Sequence, residues 1–304
     1  MLINCKIEKF VERERQVIIN EYMERFPTQL SVDIATKINK VFFGDTRLGT
    51  FLRPLGKAET ILAITLDDIR EFYDRCYVPA NISIVAIGGI ELGQFVDALE
   101  ASPFGLERPG HRIQLPKPMA EIKNPSENKW DLSAAEIAKI AFHQSSIDVV
   151  AVIPGIINPK ALEVAEDTLR KTFFCEIREK RGWNYGSDIS LEWLLEAYKF
   201  SFRTKFQWEN LNAMEGLIDE CVRIASRDSD EIQRFIRTRV NGYKIIDPDA
   251  RKVVDVVGYD LAERGHIITY ADDISSAKSV TVEEVRMVLS QLSRDRRFTM
   301  TLRP

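Results

Sequence analysis

A chain that repeats itself is expected to fold its copies alike, and these 304 residues carry a gapless internal echo. The stretch at 65–88, TLDDIREFYDRCYVPANISIVAIG, returns at 281–304 as TVEEVRMVLSQLSRDRRFTMTLRP, a period of 216. In each copy a Thr stands three residues before an acid, Thr65 before Asp68 and Thr281 before Glu284. This is a capping box, whose side chains satisfy the free N–H groups at a helix start. Apolar positions follow at helical spacing: Ile69, Phe72, Tyr73 and Cys76, echoed by Val285, Val288, Leu289 and Leu292. After a break, alternating runs predict a half-buried strand, Ile82, Ile84 and Ala86 against Phe298, Met300 and Leu302. Each copy is therefore expected to end helix, turn, strand. With the second copy closing at Pro304, the first is expected to close near Gly88 and to be incomplete, 88 of its 216 residues being present.

Before the first echo, the pattern predicts a long helix over 6–23 with Ile7, Phe10, Val11, Val17, Ile18 and Tyr22 on one broad face. Glu14 and Glu21, seven apart, share one side of it. On spacing alone they read as solvated carboxylates beside Arg13 and Arg15. A second helix over 31–41 leads into irregular chain marked by Gly44, Gly49, Pro54 and Gly56. A short helix over 91–99 is followed by Pro103, Pro109, Pro116, Pro118 and Pro125, the best linker candidate. The second unit opens with strands near 137–143 and 149–153. A helix from Pro159 follows, with Leu162, Ala165, Leu169, Phe173 and Phe174 facing inward. Strands near 187–195 and 197–205 and helices over 208–226, 230–245 and 250–262 precede the closing echo. This alternation indicates an α+β fold of two related half-domains, each an antiparallel-rich sheet with helices on one face, the first incomplete. The expected boundaries are 1–101 for the first half-domain, 102–129 for the linker and 130–304 for the second.

Composition narrows the function. A net charge of −4 with acids and bases interspersed offers no basic field for nucleic acid or an anionic membrane. No apolar run approaches a bilayer's thickness. The first residues lack the charged and apolar regions of a secretory signal, and Cys5, Cys76, Cys175 and Cys221 form no CxxC. Buried thiols in a reducing, cytoplasmic setting are the expectation.

Several segments together resemble the M16 family of zinc metallopeptidases, the pitrilysin, insulinase and mitochondrial processing peptidase group. ERERQVIINEY at 12–22 is similar to the family's helix after its catalytic motif, and FGDTRLGTFLRPLGKAETI to its segment with paired LG steps. ITLDDIREFYDRCYVPANISIVAIGGI resembles its next helix and strand, and IREKRGWNYG at 177–186 its REKRGxxYS stretch. The resemblance spans nearly the whole chain and implies two similar half-domains, as the repeat does.

It also implies roles. Glu21 matches the family's third zinc ligand and Glu14 the acid that supports the site. Arg178 and Tyr185 match the Arg/Tyr pair that contacts the substrate peptide and its developing oxyanion. On the residues alone, Arg178 pairs with Glu179 or Asp188 at the surface and Tyr185 packs under a strand. The family's H-x-x-E-H motif, which supplies two His ligands and the general base, is expected upstream of Met1 and is not in this sequence. A catalytic zinc takes about three protein ligands, and Glu21 is one. His111, His143 and His266 have neither i, i+4 spacing nor Cys or acid neighbours at ligand intervals. RKTFFCEI at 170–177 also stands where the family has a Gly- and Ser-rich turn. The resemblance thus implies zinc for the family but no tight zinc site in this N-terminally truncated chain. It further implies a peptide or unfolded polypeptide as substrate, and a homo- or heterodimer with an M16-like subunit. Two readings stay open, a fragment or non-catalytic Arg/Tyr-bearing subunit and a structural scaffold with no peptidase role.

Overall fold

The computed structural model describes residues 10–46, 49, 55–102, 110–111, 113, 124–132, 145–154, 158–184, 186–194, 197–242 and 250–302. Among them the chain runs α1 (Val11–Arg25), α2 (Gln29–Phe43), α3 (Ala58–Ala63), α4 (Leu66–Cys76) and α5 (Leu92–Glu100). Strands β1 (Lys129–Leu132) and β2 (Ser145–Pro154) lead to α6 (Pro159–Phe173), and β3 (Ser187–Leu194) and β4 (Ala197–Phe206) follow it. Helices α7 (Leu211–Arg227), α8 (Ser229–Gly242), α9 (Ala250–Arg264), α10 (Tyr270–Ser279) and α11 (Val282–Ser290) precede β5 (Arg297–Leu302). The mixed helix and sheet expected from the sequence is thus present. The residues sort into two compact units. One comprises Met1–Val32, Leu52–Lys117 and Asp247–Ile268, the other Asp33–Phe51, Pro118–Ile246 and Thr269–Pro304.

The second unit holds a five-stranded sheet in the order β1-β5-β2-β4-β3, with β1 parallel to β5 and the other pairs antiparallel. Because side chains alternate across a strand, Ile147, Val149, Ala151 and Ile153 of β2 share one face with their β4 partner Phe202. That face packs against Leu162, Leu169, Leu217, Val288 and Leu289 from α6, α7 and α11 to make the main core. Val150 and Val152 are buried on the other face, so β2 is apolar on both sides, as a central strand should be. The end of α2 joins this unit, where the Ser126 N–H donates to the Val41 carbonyl at 3.2 Å and Lys37 stands 5.3 Å over the Trp130 ring.

Both expected capping boxes form. Thr281 N–H donates to Glu284 Oε2 at 2.8 Å and Glu284 N–H to Thr281 Oγ1 at 3.1 Å, with the same pairing at Thr65 and Asp68. A third box, Thr269 with Asp272, starts α10, a helix the periodicity reading passes over. The two copies then diverge. In α11, Val288 is fully buried, whereas its counterpart in α4, Phe72, is 53% exposed. The second strand forms as β5, but residues 82–87 make no strand, which corrects the expectation from Ile82, Ile84 and Ala86. The physical reason is that a strand exists only through partners for its N–H and C=O groups. β5 has β1 and β2, and 82–87 pair with no described strand.

In the first unit, α1 buries a different face from the one expected. Tyr22 and Phe26 pack with Ile61 of α3, supported by Ile19, Val32, Leu55 and Ala58. Val11, Arg15, Ile19, Tyr22 and Phe26 recur at three- and four-residue steps, which places Val17 on the far side of the helix, 52% exposed. Phe10 and Ile18 are exposed as well, and Ile7 lies outside the described residues. Arg15 takes an inward place because its Nη1 donates to the Ile61 carbonyl at 2.6 Å, covering the end of α3. Among the described residues, no helix is long and apolar enough to cross a membrane. Of the cysteines, Cys221 is fully buried, its thiol pushed up to about 12 by desolvation, while Cys76 and Cys175 are half-buried and Cys5 lies outside the described residues. The strand expected near 137–143 lies outside them too.

Candidate functional site

The residues IREKRG sit where α6 stops being an α-helix. Asn158 caps its start, accepting the Lys160 N–H at 3.0 Å, and Pro159 fits the first turn where no donor is needed. The helix buries Leu162, Ala165, Leu169 and Phe173, whose ring stacks on Phe202 with centroids 4.0 Å apart. From Phe174 to Glu179 the backbone then widens into a π-helical turn, in which the Lys180 N–H reaches the Cys175 carbonyl at 3.0 Å. The turn ends at Gly182, in the left-handed region at φ 63°, where a side chain would be strained. Its N–H donates to the Arg178 carbonyl at 2.9 Å, and the Trp183 N–H to the Ile177 carbonyl at 3.1 Å.

The widening sets where the side chains beyond it point. Phe174, expected inside, is 44% exposed while Phe173 is 2% exposed, because it is still in ordinary register, its N–H reaching the Arg170 carbonyl, and at about 100° per residue it stands off the face that Leu162, Leu169 and Phe173 bury. Arg178 is exposed on the same side, its guanidinium 5.1 Å from the Phe174 ring centroid. Glu176 and Ile177 face inward. Lys180 Nζ donates to Glu176 Oε1 at 2.6 Å and Arg181 Nη1 to Oε2 at 2.8 Å. The Lys180 bond first, then Arg181, holds the Glu176 carboxyl below its usual range against the opposing effect of burial. Cys175 is pushed up by desolvation and by Glu179, which keeps it a thiol rather than a nucleophile. An outward guanidinium on a fixed turn can donate to a peptide carbonyl or to an oxygen gaining negative charge. Tyr185, its expected companion, lies outside the described residues. Beside it Asn184 Nδ2 donates to Ser187 Oγ at 3.1 Å and also bonds Thr204 Oγ1. The sequence reading missed Glu176 and the turn itself, and it placed Phe174 inward. Its available signal was Glu176 four residues before Lys180, the favoured order for a helical pair.

The other two expected site residues lie on α1 in the first unit. Glu14 and Glu21 are both exposed, and Arg13 holds Glu14 through Nη2 at 2.7 Å and Nε at 3.0 Å. His111 and His266 are exposed and His143 lies outside the described residues. Among the described residues no three His, Cys, Asp or Glu side chains come together as a metal site would require. The described residues around Glu21 therefore do not by themselves make up a catalytic zinc's ligand set.

Comparison with known proteins agrees with the M16-like frame. Over 153 residues the chain is 29% identical to an uncharacterized zinc protease of Streptomyces coelicolor, covering 47% of this chain and 31% of that protein. Over 128 residues it is 27% identical to the probable zinc protease PqqL of Haemophilus influenzae, covering 42% and 13% respectively. The matched stretches thus span about a third or less of these relatives' lengths. Among solved structures, a peptidase M16 inactive domain from Pseudomonas fluorescens superposes with a TM-score of 0.72 at 16% identity, covering 97% of this chain and 71% of that one. A protease from Helicobacter pylori gives 0.74 at 16% identity, covering 99% and 73%. These likenesses carry the fold. The model of the peptidase M16 inactive domain matches residues 63–234, more than half of the chain and the whole stretch from α4 to the REKRG turn, and the chain therefore belongs to the M16 peptidase family.

Proposed function

We propose that these residues bind an extended polypeptide rather than cut it, offering Arg178 together with Tyr185 to the backbone of a peptide. The observation that carries the reading is the outward Arg178 on its π-turn, a planar cation set on a rigid element of the better-packed unit. In this reading the guanidinium and the Tyr185 hydroxyl both donate to a carbonyl oxygen. Glu21 and Glu14 mark the family's metal helix, and any zinc histidines come from outside the described residues. The working form is a homo- or heterodimer with an M16-like subunit that carries a complete metal motif. A solved relative, the ferredoxin protease FusC, was crystallised with ferredoxin, which supports a polypeptide as the ligand class.

Fluorescence anisotropy of a rhodamine-labelled, uncharged, extended peptide tests this directly. Arg178→Lys loses the planar fork and Tyr185→Phe the hydroxyl. Each should weaken binding by about tenfold or more, the scale of a hydrogen bond to a charged or well-placed donor. With an active M16 subunit added, each should lower turnover by roughly a hundredfold. If both variants bind and turn over like the parent chain, the scaffold reading replaces this one.

A further inference from the structure

A π-turn gives up the regular ladder of its helix and persists only where its surroundings favour it. In this chain the contacts that favour it converge on one side chain. Glu176 is buried, at 6% exposure, yet each of its carboxylate oxygens meets its own cation, Lys180 at 2.6 Å and Arg181 at 2.8 Å. Arg181 Nη1 also donates to the Glu176 carbonyl at 2.9 Å, so one guanidinium grips both the backbone and the side chain of a residue inside the turn. The same guanidinium lies 5.7 Å from the Trp183 ring, just beyond the closing Gly182. A carboxylate in this place cannot be left unpaired at little cost, and two cations from the residues that end the turn answer it. Glu176 faces inward while Phe174 and Arg178 face outward, so it acts on Arg178 through the backbone between them. Were the turn to relax to an ordinary α-helical register, later side chains would rotate by roughly 100° and Arg178 would leave its present side.

We infer that Glu176 is a positioning residue for Arg178, holding the π-turn through Lys180 and Arg181 so that the guanidinium faces the peptide. The inference rests on the peptide-binding reading above. The test is a double-mutant cycle on the full chain with the rhodamine-labelled, uncharged peptide, using Glu176→Gln, Arg178→Lys and the pair. Glu176→Gln keeps the shape and removes the charge. It should weaken binding about tenfold, short of the roughly hundredfold that a full misplacement can cost. The double variant should bind no worse than Arg178→Lys alone, because a mispositioned lysine has little left to lose. Parent affinity should also fall as the pH drops below the ordinary carboxylate range and Glu176 protonates, and that fall should be smaller in the Gln variant. A residue that merely stabilised the fold would move neither the cycle nor the pH profile.

Glu176→Gln binding like the parent, or its loss adding fully to that of Arg178→Lys, overturns the inference. No effect of Arg178→Lys instead overturns the peptide-binding reading itself, which separates the two failures. Should Glu176→Gln not fold, Lys180→Met and Arg181→Met remove the cations one at a time from less buried positions. Each should then weaken peptide binding, and parent-like affinity in both sinks the proposal.

Discussion

Phe173 and Phe174 are neighbours in the chain with opposite fates, and truncating each in turn measures which of the two rings the core holds. Phe173 is 2% exposed and stacks on Phe202 within the main core. Removing a buried Phe ring loses its transfer free energy and leaves a cavity, together about 4 kcal/mol. Phe174 is 44% exposed and its main described partner is the Arg178 guanidinium, so Phe174→Ala should cost about 1 kcal/mol. The unit that holds both comprises about 180 residues. At about 3 °C per kcal/mol for that size, Phe173→Ala should lower the Tm by about 12 °C and Phe174→Ala by about 3 °C. Urea unfolding followed by tryptophan fluorescence, with thermal melts by circular dichroism, gives both numbers on the full chain. Equal losses would refute the reasoning. They would mean that Phe174 packs inward beside Phe173, as the apolar run alone suggests.

Four other outcomes follow from the same structure. Glu231, bonded by Arg234 and held by Lys171 at 2.6 Å, has its carboxyl lowered from 4.5 to about 2, with Arg234 the larger cause. A depressed folded-state pKa gives stability that is complete above pH 4.5 and lost as the pH falls toward 2. Glu231→Gln should therefore cost about 1 kcal/mol at neutral pH and flatten the acid limb of a stability profile, and an unchanged profile counts against the ion pair. Thr281→Ala should cost about 1 kcal/mol by removing the α11 cap, while Thr65→Ala leaves the transition that reports Phe173 unmoved; equal effects on that transition would contradict the two-unit division. Metal analysis after zinc addition should find no stoichiometric zinc and no change on Glu21→Ala, and stoichiometric zinc lost with Glu21 would show that residues beyond the described ones complete a site. Limited proteolysis should cut first within 102–129 or the N-terminal part, and equal protection throughout would argue against the expected 1–101, 102–129 and 130–304 boundaries.

What the sequence disclosed was mostly local. Asn158-Pro159 announced the start of α6, and the order of strands and helices from there to β4 was legible because each run is long and strongly periodic. Periodicity failed where a side chain does two jobs. On α1 the apolar count favoured Val17 and Ile18, but the buried face includes Arg15, whose stem packs while its guanidinium covers the end of α3. At the candidate site the apolar pair Phe173-Phe174 suggested two inward rings, but neighbours on a helix stand about 100° apart and only Phe173 falls on the buried face. The resemblance to the M16 family marked Arg178, but not the buried Glu176 behind it, since a glutamate four residues before a lysine usually reads as a solvated surface pair.

The repeat separates these two kinds of signal. Thr65 and Thr281 carry the same short instruction, and both helices start where it says, because a capping box is satisfied within four residues of chain. The alternating run after each helix is an instruction of another kind, since it states which side chains would face which way once neighbours are supplied. Met300 and Phe298 find those neighbours in Asp148 and Val150 of β2, and β1 closes the other side in parallel. Ile82, Ile84 and Ala86 have the same alternation and no described strand beside them, so no ladder forms there. Alternation is therefore a conditional statement about a strand, whereas a cap is close to an unconditional statement about a helix. A reading that weighs the two alike will overstate strands wherever their partners are not in the same stretch of chain.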